Sequence, residues 1–145
     1  MSKYSINEFI RKKKPESVMI GMGQTYLHAA EQSGVNVVYL LAHSILETSW
    51  GTSELVKDKN NFFGIRAYDS CVYTCATAWD TKETGLVEGS KWIANNYIYG
   101  GNRQYTLDHM RNNFGIKQYA TDEAWHQKIA NLARDFIEFN NNYNN

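Results

Sequence analysis

The chain has 145 residues, enough for one domain with a hydrophobic core. Apolar residues make up 43% and charged residues 21%, a balance that excludes general disorder. Fifteen Lys and Arg offset fifteen Asp and Glu, which argues against a nucleic-acid or membrane-surface partner, since both call for a net basic face.

The segment SINEFIRKKK reads as a short helix capped at Ser5, with Ile6, Phe9 and Ile10 on its apolar side and a solvated basic end. Pro15 stops it. A second helix is expected over ESVMIGMGQTYLHAAEQSG, ending near Gly34, although Gly21 and Gly23 leave its first turns open. A third runs from an Asn36 N-cap to about Thr48. Its apolar residues cover most of the circumference, the pattern of a central, buried helix.

Residues 51–82 are rich in Tyr, Val, Thr and Cys with Gly and Asp punctuation, and read as loops with one or two short strands. Cys71 and Cys75 have no second pair or nearby His to suggest zinc, and free thiols are expected over a small closed loop. Helical pattern returns in KETGLVEGSKWIANNYI and again in DEAWHQKIANLARDFIEF. The Gly-, Asn- and Arg-rich connection between them, 100–122, is long for a compact domain, and such loops are often functional. The end, NNNYNN at 140–145, carries no pattern and is expected to be a disordered tail or the start of a linker, which puts the domain at 1–139. No apolar run approaches the ~20 residues of a membrane span, and the N-terminus shows no charged-then-apolar leader. The sum is one mainly helical domain with a small strand-bearing lobe around residues 60–80.

Within this pattern Glu47 is a single carboxylate at the end of a buried helix, followed by Trp50 and Gly51. Helical periodicity puts it on one face with Leu40, His43 and Ser44. Partial burial and the negative end of the helix dipole both disfavour its anion. A carboxylic acid that keeps its proton near neutral pH is what a glycosidase needs to protonate a leaving sugar oxygen. Position alone leaves the bland alternative open, an idle Glu at an exposed helix end. The ten Tyr and four Trp likewise serve a core or a carbohydrate cleft, where flat rings stack on sugar faces.

The run HSILETSWGTSELVKDKNNFFGIRAYDS resembles the core signature of peptidoglycan N-acetylglucosaminidases, family 73 of the glycoside hydrolases. GSKWIANNYI at 89–98 is similar to that family's next helix, and QYATDEAW at 118–125 to its closing segment. The resemblance spans roughly residues 5–138. It implies an α+β, mainly α-helical, lysozyme-like fold, with a helical lobe, a small β-hairpin lobe and a cleft between. It implies cleavage of the β-1,4 bond after N-acetylglucosamine in bacterial peptidoglycan, with Glu47 as general acid.

For the second group, Asp69 is the first candidate and Asp80 the second, the latter standing equally well as a turn residue before a helix. A third route needs no enzyme nucleophile: the substrate's acetamido oxygen attacks the anomeric carbon, and Tyr97 and Tyr119 steady the acetamide. Asn61, Phe63, Gly64 and Tyr68 are expected to shape the cleft, with Trp50 and Trp79 as stacking candidates. His43 is expected to be a core residue. The four His do not cluster at metal-ligand spacing, so neither a metal nor another cofactor is expected.

The expected partner is the peptidoglycan glycan strand, met by a monomeric catalytic domain, alone or attached to a wall-binding domain. The setting expected is a phage lysin, a virion-associated enzyme or a domain of a secreted autolysin. The competing readings are a lysozyme or lytic transglycosylase, and a non-catalytic glycan-binding module.

Overall fold

In the computed structural model, which describes residues 1–143, two serines cap each other at the start of the first helix. Ser2 Oγ accepts from the Ser5 backbone N–H (3.2 Å), and Ser5 Oγ accepts from that of Ser2 (3.3 Å). The helix, α1 (Lys3–Lys13), therefore starts one turn earlier than a cap at Ser5 would allow, and its Ile6, Phe9 and Ile10 are buried. Turns carry the chain past Pro15 to α2 (Gly23–Ser33), which ends at Gly34 in the left-handed conformation (φ 71°).

Asn36 then opens α3 (Val37–Thr48) by accepting from the backbone N–H groups of Val38 (2.9 Å) and Tyr39 (3.1 Å), donors that a helix start leaves without partners. The expected all-round burial is present: Leu40, Leu41, Ala42, His43, Ser44, Ile45 and Thr48 are all buried. α2 packs on one side of α3 and the last helix, α7 (Trp125–Tyr143), on another. α1 lies against both α2 and α7, where Phe9 meets Phe136 edge-on at 5.2 Å.

The segment 51–82 departs from its sequence reading. Ser53 caps a short helix, α4 (Glu54–Lys59), and no strand forms among the described residues. The expected β-hairpin lobe is a set of loops containing one isolated bridge, Tyr68 to Cys71. The physical reason is that side chains supply the partners a ladder would have supplied. Asn61 accepts from the N–H groups of Phe63 (3.3 Å) and Ile65 (3.1 Å) and donates to the carbonyls of Ile65 (2.9 Å) and Thr77 (3.0 Å). Lys59 Nζ donates to the carbonyls of Tyr73, Thr74 and Ala76. The expectation of free thiols is also corrected: Cys71 and Cys75 form a disulfide, with their Cα atoms 5.5 Å apart, inside the usual range for such a bond.

Thr81 caps α5 (Lys82–Ile93), which lies along α2 and continues into one wider π turn, Ala94–Ile98. Gly85 lets α5 approach the Asn60 carbonyl so closely that a Cβ there would sit 1.9 Å from the oxygen. The long connection 100–122 is not wholly irregular. It holds α6 (Leu107–Arg111) and a 3-10 turn at Asn113–Gly115. α7 extends to Tyr143, into the segment expected to be a tail, and residues 144 and 145 of that segment lie outside the described residues. Among the described residues, no helix is long and apolar enough to cross a membrane.

Candidate active site

Three consecutive residues with positive φ, Ser49 (50°), Trp50 (61°) and Gly51 (74°), break α3 just past Glu47. Ending the helix there leaves the Glu47 side chain 23% exposed, within reach of a cleft of about 800 Å³. Its two oxygens have different surroundings. Oε1 accepts a hydrogen bond from the indole Nε1 of Trp125 (2.9 Å) and lies 3.5 Å from His43 Nε2. Oε2 faces Gly64, where any Cβ would come to 2.7 Å from it. Gly64 also has φ 64°, so both its backbone and its missing side chain serve the acid.

The QYATD segment, residues 118–122, forms part of the cleft lining beside Glu47. Arg111, itself buried, donates to the carbonyls of Asp122 (2.6 Å) and Thr121 (2.9 Å), and the Tyr119 N–H donates to the Met110 carbonyl (2.9 Å). So fixed, the Tyr119 ring stacks on Trp125 at 5.1 Å and contacts Tyr97 at 4.9 Å, while its hydroxyl donates to the Phe63 carbonyl (2.8 Å). Burial pushes the Tyr119 hydroxyl well above the ordinary phenol value, with the neighbouring Tyr39, Glu47 and Tyr97 charges acting the same way. Burial also raises Tyr97. Both therefore stay neutral across the physiological range and act through hydrogen bonds. Lys117 sits over the Tyr97 ring, 5.2 Å from its centre.

Of the residues singled out in the sequence, Glu47, Gly64, Tyr68, Asp69, Tyr97 and Tyr119 come together in the cleft lining. Tyr68 and Asp69 are exposed on its rim. The remaining five do not line it. Trp50 packs against Phe9 at 5.5 Å. Trp79 is held by one backbone hydrogen bond, its N–H donating to the Lys59 carbonyl, and by the Asn60 side-chain amide, which donates to the Trp79 carbonyl. Asp80 is exposed just ahead of α5, in the position of a turn residue before that helix, whose cap is Thr81. Asn61 is fully buried and occupied with the loop backbone, and Phe63 is fully buried against His43, so neither side chain reaches the cleft surface.

Trp125 is the residue the sequence reading missed as a site group, having taken it for an apolar position of the last helix. Its signal would have been an indole at the buried start of a helix, where its N–H needs an acceptor. Arg66, Trp92, Asn96 and Lys117 also line the cleft unanticipated.

A model of the glucosaminidase family, described as mannosyl-glycoprotein endo-beta-N-acetylglucosaminidase, matches residues 23–138. A putative endo-beta-N-acetylglucosaminidase of Streptococcus pneumoniae serotype 4 is 41% identical over 116 residues, which are 80% of this chain and 17% of that protein. The bifunctional autolysin of Staphylococcus aureus is 34% identical over 157 aligned residues, 92% of this chain and 12% of that one. The chain thus spans less than a fifth of the length of these curated relatives. Among solved structures, S. aureus Autolysin E in complex with the muropeptide NAM-L-Ala-D-iGlu superposes with a TM-score of 0.80 at 33% identity, covering 95% of this chain and 67% of that one. The fold is the mainly helical one of lysozyme-like glycoside hydrolases. With four fifths of its length matched by the family model, the chain belongs to the glucosaminidase family.

Proposed function

We propose that this chain hydrolyses the β-1,4 bond on the far side of N-acetylglucosamine in bacterial peptidoglycan, with Glu47 as the general acid. One observation carries the reading: a single carboxyl group has one oxygen held by an indole N–H and the other turned, past a glycine, into an aromatic-walled cleft. The muropeptide bound by the staphylococcal neighbour supports the same substrate class. The proposed place of action is the cell wall, whether the chain works alone or beside a wall-binding domain.

Glu47 gives its proton to the glycosidic oxygen as the bond from that oxygen to the anomeric carbon breaks. The acetamido oxygen of the same sugar attacks the anomeric carbon and forms a cyclic oxazolinium ion. The Glu47 carboxylate then takes a proton from water, whose oxygen adds to the anomeric carbon and reopens the ring. Tyr119 has committed its own proton to the Phe63 carbonyl, so its oxygen is an acceptor for the acetamide N–H. Tyr97 lies against it, and its hydroxyl has no protein partner among the described residues. Asp69 shares the cleft lining and defines a second reading, in which it activates water for direct attack. The acetamide route retains the anomeric configuration and the Asp69 route inverts it.

Mass spectrometry of borohydride-reduced products from purified peptidoglycan tests the reading. The expected result is reduced N-acetylglucosamine ends from the wild type, with Glu47→Gln slower on the order of a thousandfold. Reduced muramic acid or anhydro ends would move the chain to lysozyme or lytic transglycosylase chemistry. No products from either protein, with wall binding retained, would make it a binding module.

A further inference from the structure

His43 is completely buried, one turn before Glu47 on α3, and is ringed by Tyr39, Phe63, Tyr119 and Trp125. Four aromatic rings would hold a Phe or Leu there equally well, so an imidazole at this position calls for a chemical reason. Its two nitrogens differ. Nδ1 lies 2.8 Å from the Tyr39 hydroxyl. Nε2 is buried without a hydrogen-bond partner, and the nearest acidic group is Glu47, whose Oε1 is 3.5 Å away. That distance is a few tenths of an ångström beyond a normal N–H to oxygen bond. Leaving a buried polar nitrogen unpaired is costly, and catalytic hydrogen bonds are commonly long before substrate arrives.

The tautomer follows from the neighbours. Among the described residues, His43 Nδ1 is the Tyr39 hydroxyl's one partner, and the tautomer that lets the phenol donate its proton there carries the ring hydrogen on Nε2. The opposite tautomer would turn a lone pair toward Glu47 Oε1 and would hold the acid's proton on that oxygen, away from Gly64 and the cleft. With Nε2 protonated, two N–H groups face Glu47 Oε1, from Trp125 and from His43.

We propose that His43 is a positioning residue for the general acid: with its tautomer set by Tyr39, its Nε2–H and the Trp125 indole together occupy Glu47 Oε1 and so assign the transferable proton to Oε2, the oxygen beside Gly64 in the cleft. This rests on Glu47 being the acid, and it adds which oxygen delivers the proton and what fixes that choice. When the proton leaves, the negative charge on Oε1 already has its two donors in place, a preorganisation felt in the transition state more than in substrate binding.

Three variants and one spectrum test it. His43→Phe keeps a ring in the slot and removes both nitrogens; kcat falls by about ten- to a hundredfold while KM stays near the wild-type value. His43→Gln places an amide N–H within reach of Oε1 and recovers most of that loss. Tyr39→Phe, which frees the tautomer, lies between. Long-range proton–nitrogen correlation spectra of the wild type at neutral pH report His43 with a bare Nδ1 and a protonated Nε2, a result independent of turnover and unaffected by whether Glu47 is the acid. A spectrum showing the hydrogen on Nδ1 would overturn the proposal. So would His43→Phe, folded by its thermal melt, with wild-type kcat, or His43→Gln no faster than His43→Phe. Failure of the parent reading is distinct, because Glu47→Gln would then stay active.

Discussion

At the scale of single residues, the proposed acid Glu47 depends on a glycine as much as on itself. Replacing Gly64 by Ala puts a methyl group 2.7 Å from Glu47 Oε2, and it asks an L-residue to adopt φ 64°. The backbone penalty is about 1–2 kcal/mol, and the clash is relieved most easily by turning the carboxyl out of the cleft. Gly64→Ala is therefore expected to lower Tm by a few degrees, roughly as that penalty predicts, while kcat drops by more than about tenfold because the acid is displaced. A variant that loses stability but keeps wild-type kcat would show that the approach of Gly64 does not govern the acid. That Glu47 and Gly64 line one cleft was legible through the resemblance that the HSILETSWG and NNFFGI runs carry, since the position of the acid alone left an idle Glu open. Trp125 was not, because it reaches Glu47 from 78 residues away. Trp50 misled for the opposite reason. It is adjacent in sequence, but the three positive-φ residues at the end of α3 send it to Phe9 rather than to the cleft.

At the scale of elements, the loops between α4 and α5 are where expectation and structure part most. Tyr, Val, Thr and Cys enrichment describes residues that tolerate extended backbone, and it carries no information about whether another strand or a side chain satisfies that backbone. Here Asn61 and Lys59 do so, and the disulfide closes the turn between them and the cleft rim. α4 and α6 escaped notice because six and five residues show too little periodicity to read. The loop wall should then fail at its bracket. Asn61→Ala removes four hydrogen bonds in a fully buried site and is expected to destabilise by about 2–4 kcal/mol. Asn61→Asp keeps the two acceptor contacts but turns an anionic oxygen toward the carbonyls of Ile65 and Thr77 in a fully buried site, so it destabilises at least as much as Asn61→Ala. Urea unfolding ranks the three proteins. Because Tyr68 and Asp69 hang on this wall, Asn61→Ala should also raise KM. Equal stability for Ala and Asn would mean that the bracket is incidental.

At the scale of the whole molecule, what the sequence disclosed was the helical frame: the all-round apolar α3, its Asn36 cap, and the 3.6-residue repeat of the long C-terminal helix. What it could not disclose was how many tyrosines that frame encloses with their hydroxyls inside, and this sets the protein's response to alkali. Tyr26 is fully buried with its hydroxyl 2.6 Å from Ser44 Oγ, and burial raises it far above the ordinary phenol value. Tyr39 and Tyr119 are raised in the same direction, first by burial and then by neighbouring charge. Below the unfolded value of 10.0 both states keep these protons, and the tyrosines add no pH dependence. Above it the unfolded chain releases them while the folded protein retains them. The unfolded state is then favoured, and stability falls from that value upward until the folded groups also ionise. Each retained proton costs about 1.4 kcal/mol per pH unit in that window. Urea midpoints measured from neutral pH to beyond 10 should therefore be nearly flat at first and then fall steeply. Tyr26→Phe separates this effect from the titration of lysines, which it leaves alone. Its stability at neutral pH drops modestly, since Ser44 still donates to the Leu41 carbonyl at 2.9 Å, but its decline above pH 10 should be shallower by about 1.4 kcal/mol per pH unit. Identical slopes for the two proteins would mean that Tyr26 ionises without unfolding, and that the core around α3 admits a charge its packing should refuse.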